Sequence, residues 1–151
     1  QMELLMKFQT DSEKETEAVG EKLGRLLKPG DIVTLNGELG AGKTCFTSGA
    51  AKALGIRDYI TSPTFTIVNE YRSGESLLYH FDLYRIASYE ELLDIGFEEY
   101  AEHDAVLFIE WAERVPEIKK YYKQRITDVG LSRRDDISPT RREIEIRRYA
   151  E

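Results

Sequence analysis

The hydrophobic pattern at the start of the chain predicts a strand, a helix, a second strand and a second helix. Leu4 to Phe8 is a short apolar run, and Ser12 to Glu15 has the spacing of a capping box, which opens a helix. One apolar face then recurs at helical spacing, formed by Val19, Leu23, Leu26 and Leu27. Asp31 to Asn36 is β-rich, and Lys43 to Leu54 is a proline-free run that ends at a glycine. Strand, helix and strand in this order is how an α/β domain begins.

The middle of the chain predicts three further strands with short helices between them. Phe65 to Tyr71 and Leu77 to Tyr84 are β-rich runs joined by a turn. A second capping box opens a helix from Ser88 to Gly96, and the acidic run from Phe97 to Glu102 is also helical in pattern. Ala105 to Ile109 is a run of five apolar residues, which is typical of a strand buried on both faces of a parallel sheet.

The last part of the chain predicts a helix and a hairpin. The helix covers Pro116 to Tyr122, and the arms of the hairpin are Arg125 to Leu131 and Arg142 to Tyr149. No internal repeat, low-complexity segment or linker divides the sequence. We therefore expect one α/β domain covering residues 1–151.

Composition narrows the class of protein. The chain is 41% hydrophobic and 32% charged, has no apolar run of membrane-spanning length, and begins without a signal-peptide pattern. Its single cysteine, Cys45, excludes an internal disulfide and suits a reducing compartment, so we expect a cytoplasmic protein without membrane contact. The formal charge of −7 argues against a domain-wide surface for nucleic acid. Six arginines near the end form either a solvated face or a contact for a partner or phosphate, namely Arg133, Arg134, Arg141, Arg142, Arg147 and Arg148.

A glycine-rich motif lies between the second strand and the second helix. It has the pattern of a phosphate-binding loop, and its members are Gly37, Glu38, Leu39, Gly40, Ala41, Gly42, Lys43 and Thr44. In such a loop the glycines let backbone N–H groups turn toward phosphate oxygens, the lysine reaches the β- and γ-phosphates, and the hydroxyl binds Mg²⁺. Because strand, loop and helix follow one another as the motif requires, we predict a nucleotide site here.

Two acids are candidates for the chemistry of this site. Glu110 follows the buried strand from Ala105 to Ile109, the position of a Walker B carboxylate; the alternative is an exposed acid that merely ends the strand. Asp82 shares a strand face with His80, and either serves metal or water or pairs with Arg85.

Three further positions near the predicted site call for interpretation, and two of them have two alternatives. The segment around Pro63 and Thr64 is either a strand edge stopped by proline or a nucleotide-sensing switch. Trp111 is either a core aromatic or a lid on the nucleotide, and Cys45 has the pattern of a small core residue.

Three sequence blocks, in this order and spacing, resemble the bacterial TsaE (YjeE) family over nearly the whole chain. They are GELGAGKT from Gly37, SPTFTIVNEY from Ser62 together with HFDLYR from His80, and IEW from Ile109. The resemblance implies a three-layer phosphate-loop NTPase sandwich around a mixed, mainly parallel sheet with antiparallel hairpins. It also implies a Mg²⁺-dependent ATPase of tRNA N6-threonylcarbamoyladenosine (t6A37) biosynthesis that hydrolyses ATP slowly when alone. Such a protein works with TsaD and TsaB and contacts tRNA only through that complex. It is not the transferase.

The resemblance also implies roles for individual residues. The nucleotide-binding set is the loop from Gly37 to Thr44 with Cys45 directly after it, where relatives commonly carry threonine. Lys43, Asp82 and Glu110 form the catalytic set. Thr44 and Glu110 hold Mg²⁺, while Thr64 and Trp111 neighbour the site. No residue is assigned to the adenine.

Other functions stay open at this point. A kinase for a small molecule or nucleotide uses the same loop, and a docking module binds ATP without significant hydrolysis. The choice of an arginine finger is also open among Arg85, Arg114 and an arginine of a partner.

Overall fold

One seven-stranded sheet organises the chain. The computed structural model describes all 151 residues. The strands are β1 (Met2–Thr10), β2 (Ile32–Asn36), β3 (Val68–Ser73), β4 (Ser76–Asp82), β5 (Val106–Glu110), β6 (Ile126–Arg133) and β7 (Arg142–Tyr149). The helices are α1 (Glu13–Gly24), α2 (Lys43–Ala53), α3 (Tyr89–Asp94), α4 (Phe97–Glu102) and α5 (Glu117–Tyr121).

The strands lie in the order β1-β7-β6-β2-β5-β4-β3. The four central strands β6, β2, β5 and β4 are mutually parallel, whereas β7 is antiparallel to β1 and β6, and β3 is antiparallel to β4. Because β7 opposes both of its neighbours, β1 runs with the central strands, so only β7 and β3 run the other way. The predicted mixed, mainly parallel sheet with antiparallel hairpins is confirmed.

Two apolar layers cover the faces of the sheet. On one face α1 and α2 pack Val19, Leu23 and Phe46 against alternate residues of the central strands. On the other face α3, α4 and α5 contribute Leu92, Phe97 and Ile118. All five residues of β5 are buried because helices cover both of its faces, as the continuous apolar run predicted. The fold is therefore the predicted three-layer α/β sandwich.

Glycines bring α1 and α2 into backbone contact. A Cβ atom on Gly49 of α2 would lie 1.9 Å from the carbonyl oxygen of Glu17 in α1. A Cβ on Gly20 of α1 would lie 2.0 Å from the carbonyl oxygen of Phe46 in α2. Neither clash involves a flexible side chain, so only glycine permits this packing, which fixes the helix that follows the phosphate loop.

The predicted apolar face of the first helix is too long. Ser12 caps α1 by accepting a hydrogen bond from the Glu15 N–H, as the capping box indicated. However, α1 ends at Gly24, and Leu26 is 66% exposed. The reason is that the chain turns after Gly24, where the Leu26 N–H bonds the Leu23 carbonyl instead of continuing the helix.

The predicted strand from Phe65 is also too long. Residues 64–66 form a turn closed by hydrogen bonds to the Pro63 carbonyl, β3 begins only at Val68, and Phe65 is 86% exposed. The interpretation of the Pro63 segment as a strand edge is therefore wrong. None of the helices has the length and apolar character needed to cross a bilayer.

Candidate functional site

The carboxyl ends of three parallel strands meet at one edge of the sheet. In the register of these strands, Glu110 at the end of β5 lies opposite both Leu35 of β2 and Asp82 of β4. Ligands bind at this edge in open α/β sheets because loops from several strands converge there. A cleft of about 1110 Å³ opens at this edge, and the phosphate loop, Asp82 and Glu110 line it. The sheet thus brings together motifs that are 28 or more residues apart in the chain.

The phosphate loop connects β2 to α2 as the motif requires. Gly40 and Gly42 have φ angles of 82° and 103°, in the left-handed region that glycine adopts at little cost. The loop ends at Lys43, the first residue of α2, so the unbonded N–H groups of the helix terminus face the cleft, an arrangement that favours anions. The predicted nucleotide-binding residues from Gly37 to Cys45 all line the cleft except Ala41, which is buried beneath the loop.

Glu110 has a partner at each of its two oxygens. Its Oε1 lies 3.3 Å from the Lys43 Nζ, and its Oε2 lies 2.8 Å from the Nε2 of His80. Burial raises the pKa of Glu110, but the interaction with His80 and the charge of Lys43 outweigh burial and leave the pKa below its usual value. The side chain is thus an ionised, buried carboxylate in contact with the lysine of the phosphate loop, and it is not the exposed strand-ending acid that was the alternative.

Asp82 is anchored by its own loop. Its Oδ1 accepts a hydrogen bond of 2.9 Å from the Tyr84 N–H, and its Oδ2 accepts one of 3.4 Å from the Thr64 hydroxyl. Arg85 does not pair with Asp82; its guanidinium donates to the carbonyl oxygen of Thr64 at 2.6 Å. The predicted alternative of an ion pair between Asp82 and Arg85 is therefore wrong, and Asp82 faces the cleft.

The segment from Ser62 to Thr66 forms one wall of the cleft. Ser62 and Thr64 line it, and the bonds from Thr64 to Asp82 and from Arg85 to Thr64 attach the segment to the end of β4. Ile67, next in the chain, has a φ of 70°, which is strained for a β-branched residue. Its carbonyl accepts the Asp82 N–H, so the strained backbone directly supports the acid.

Trp111 lines the cleft and does not belong to the core. Its φ of 61° turns the chain directly after Glu110, and the side chain is 38% exposed. The indole meets the Tyr84 ring edge-on with 4.9 Å between centroids. The guanidinium of Arg114 lies over the same Tyr84 ring, 5.2 Å from its centroid. The core interpretation was wrong because the left-handed turn points the side chain away from the sheet.

Sequence patterns assigned no residue to the opposite end of the cleft, although contact with phosphate was one interpretation of the arginine cluster that includes Arg142. Thr16 and Glu13 of α1 line it together with Thr140 and Arg142 from the hairpin of β6 and β7. The Arg142 guanidinium donates to the Gly40 carbonyl at 3.1 Å and thereby braces the phosphate loop. Only the long-range pairing of β1 with β7 brings these residues together, and no local motif encodes that pairing.

The arginines of the C-terminal hairpin all have partners. Carboxylates accept from Arg133, Arg134, Arg141 and Arg147, while carbonyl oxygens accept from Arg142 and Arg148. Of the two arginine-finger candidates in this chain, Arg85 donates to the Thr64 carbonyl and Arg114 donates to that of Tyr84 at 2.6 Å. Neither lines the cleft, whereas Arg142 does.

Cys45 is half-buried and polar in its contacts. Its thiol donates to the Glu13 carbonyl at 2.9 Å, and burial, followed by the charges of Glu17 and Glu13, raises its pKa. The predicted core position is therefore wrong: the thiol ties α2 to the start of α1 at the wall of the cleft.

The oxygen donors of the cleft suit a hard cation. Thr44 offers a hydroxyl, and Glu110 and Asp82 offer carboxylates, which are the ligand types that Mg²⁺ prefers. No group of three or more His, Cys, Asp or Glu side chains is arranged to hold a metal by itself. Mg²⁺ is usually held by one or two protein ligands together with substrate phosphates and water.

Comparisons with known proteins agree with this architecture. The family model described as "Threonylcarbamoyl adenosine biosynthesis protein TsaE" matches residues 10–144. The tRNA threonylcarbamoyladenosine biosynthesis protein TsaE of Bacillus subtilis (strain 168) is 45% identical over 112 residues, which are 74% of this chain and 70% of that protein. The protein of that name from Treponema pallidum (strain Nichols) is 48% identical over 110 residues, covering 73% of this chain and 81% of that protein. The crystal structure of Bacillus subtilis YdiB superposes with a TM-score of 0.75 at 35% identity, covering 99% of this chain and 88% of that chain.

Proposed function

The chain belongs to the TsaE family, whose members act in tRNA threonylcarbamoyladenosine biosynthesis, and from that premise we propose that it is the Mg²⁺-dependent ATPase of this modification. It works as the nucleotide-driven partner of a TsaB–TsaD complex in the cytoplasm and is not the transferase. One observation carries the proposal: the lysine of the phosphate loop, Lys43, and the acid at the end of β5, Glu110, lie 3.3 Å apart at the floor of one cleft.

The reaction is in-line attack of water on the γ-phosphorus of ATP, which breaks the bond to the oxygen bridging the β- and γ-phosphates and releases ADP and free phosphate. Lys43 and the N–H groups of the loop bind the phosphates and stabilise the charge that develops on them. Glu110 orients the water or accepts its proton, and Asp82 completes the polar wall. Thr44 and Glu110 would hold Mg²⁺, which would supply positive charge to the phosphate oxygens.

We propose that turnover is slow in the protein alone because the chain supplies no arginine finger of its own. Neither Arg85 nor Arg114 lines the cleft, so neither is placed to stabilise the charge that develops in the transition state. An arginine finger raises the rate of comparable enzymes by about 10³- to 10⁵-fold. A partner that supplies this charge accounts for a dependence on the complex, and tRNA contact is left to that partner because the chain carries a net charge of −7.

Phosphate release measured with and without TsaB–TsaD tests the proposal. We expect slow release by the protein alone and faster release in the complex. Lys43→Ala removes a charge-assisted bond worth about 1.5–3 kcal/mol and should weaken ATP binding about 10- to 150-fold. Glu110→Ala should chiefly impair hydrolysis, and normal hydrolysis by this variant in the complex would show that its assigned role is wrong.

The same assay separates the two alternative functions. A kinase would transfer the γ-phosphate to an acceptor, so the appearance of a phosphorylated product in place of free phosphate favours it. A docking module would bind TsaB–TsaD in a nucleotide-dependent manner without releasing phosphate. Release of free phosphate that depends on Glu110 excludes both.

A further inference from the structure

His80 is a buried histidine to which the proposed mechanism assigns no role. It lies on β4, two residues before Asp82, and its side chain is fully buried. Its Nε2 is 2.8 Å from the Glu110 Oε2, and its Nδ1 has no hydrogen-bond partner. A carboxylate only accepts hydrogen bonds, so the Nε2 carries the hydrogen and donates it to Glu110.

The unpaired Nδ1 shows that packing alone does not account for a histidine here. A buried polar atom without a partner lowers stability, and an apolar side chain of similar size would avoid this cost. The hydrogen bond from the Nε2 to Glu110 offsets this loss of stability. His80 does not line the cleft, so it reaches the site only through that carboxylate.

The two oxygens of Glu110 have different partners. Lys43 lies at Oε1, on the side of the phosphate loop, and His80 lies at Oε2, on the side of the sheet. When the Lys43 ammonium turns to phosphate oxygens, Glu110 loses its partner at Oε1 and keeps only the bond from His80. A buried carboxylate with a single fixed oxygen is held in one orientation with the other oxygen free.

We infer that His80 is the positioning residue of Glu110: it anchors Oε2 so that Oε1 faces the cleft, toward Mg²⁺ and its bound water, once Lys43 engages phosphate. This inference rests on the proposed function. It assigns His80 the part that outer-shell partners play at metal sites, where they orient a ligand without touching the metal or substrate.

Two substitutions separate positioning from packing. His80→Gln keeps an amide N–H at about the position of the Nε2, whereas His80→Leu fills the space without a donor. His103→Leu is the matched control, because the ring of the other histidine bonds the Tyr79 hydroxyl on the opposite face of β4. ADP affinity is titrated for each protein with excess Mg²⁺ and with a chelator in its place.

Without Mg²⁺, all variants should bind ADP within about twofold of the wild type, because Lys43 and the loop amides make the phosphate contacts. In the wild type Mg²⁺ should tighten binding. His80→Leu should lose about 10-fold or more of that gain, the range for outer-shell partners, and His80→Gln should recover most of it. If His80→Leu keeps the full gain, if His80→Gln is no better than His80→Leu, or if both weaken binding equally without Mg²⁺, the inference is refuted and His80 is structural.

A wild-type measurement covers the case in which the variants do not fold. Histidine ¹⁵N NMR spectra should show the hydrogen of His80 on Nε2 both without ligand and with Mg²⁺ and ADP. Transfer of the hydrogen to Nδ1 on binding would overturn the inference. If the wild type itself shows no Mg²⁺-dependent gain in ADP affinity, the proposed function fails and the inference fails with it. If the wild type shows the gain and substitution of His80 leaves it unchanged, only the inference is refuted.

Discussion

Substitution of Gly49 by alanine tests the packing that holds the phosphate-loop helix in place. The new Cβ would lie 1.9 Å from the Glu17 carbonyl oxygen and 2.9 Å from the Glu21 nitrogen. Ordinary contact begins at 3.4 Å, so α1 and α2 must separate locally by about 1.5 Å, the difference between 3.4 and 1.9 Å. Both contacts are with backbone, so no side-chain rotation relieves them.

The expected loss of stability follows from two opposing effects. Overpacking of a well-packed core costs about 1–3 kcal/mol, and the upper end applies because backbone faces backbone. Alanine favours a helix over glycine by about 1 kcal/mol, which offsets part of that cost. We therefore expect Gly49→Ala to lower the free energy of unfolding by about 2 kcal/mol and the midpoint of thermal unfolding by about 4–8 °C.

Urea and thermal unfolding, followed by circular dichroism, measure this effect. Gly130→Ala is the matched control, since a Cβ there meets no atom within 4 Å and the residue does not have a left-handed φ. The control should be neutral or slightly more stable, by up to about 1 kcal/mol. If Gly49→Ala were as stable as Gly130→Ala, the close approach of α1 and α2 would not exist as described.

Two further predictions concern the wall of the cleft and the far side of the sheet. Arg85→Ala removes the bond to the Thr64 carbonyl and should lower stability by about 1 kcal/mol. It should also make the turn at residues 64–66 more susceptible to limited proteolysis. Unchanged cleavage there would show that the bond from Arg85 does not hold the turn. Burial raises the pKa of the Tyr79 phenol above its usual value, so above about pH 10 the unfolded chain ionises first and stability falls as pH rises. Urea unfolding between pH 8 and 11 should show that the free energy of unfolding falls less steeply with pH for Tyr79→Phe than for the wild type. An identical slope would show that the pKa of Tyr79 is not raised in the folded protein.

Local patterns predicted those parts of the fold that rest on nearest-neighbour chemistry. The capping box at Ser12 formed as expected because its donors and acceptors lie within four residues of each other. The apolar run of β5 marked a strand that is buried on both faces. The alternation that put Asp82 on the same face of β4 as His80 agrees with Tyr79 and Phe81 lying in the apolar layer on the other face. The phosphate loop and Glu110 were found in the same way, since each follows a strand that its own sequence predicts. Asp82 lay inside the strand predicted from Leu77 to Tyr84, whereas β4 ends at Asp82.

Features that depend on tertiary contacts escaped prediction. Leu26 continued a helical pattern, but α1 ended before it. For Trp111 a core position stayed open beside a lid on the nucleotide, because composition does not reveal a left-handed turn after Glu110. The bond from His80 to Glu110 joins residues 30 apart in sequence, and the brace from Arg142 to Gly40 joins residues 102 apart. Such contacts can be predicted only once the strand order is known.

The number of modified tRNAs formed per complex tests the central claim most directly. The protein is combined with TsaB–TsaD, tRNA, ATP and the threonylcarbamoyl donor, and the product is counted against the amount of complex. If hydrolysis at the cleft of Lys43 and Glu110 drives repeated turnover, the wild type should form many products per complex and Glu110→Ala about one. Equal, multiple turnover by Glu110→Ala would contradict the account.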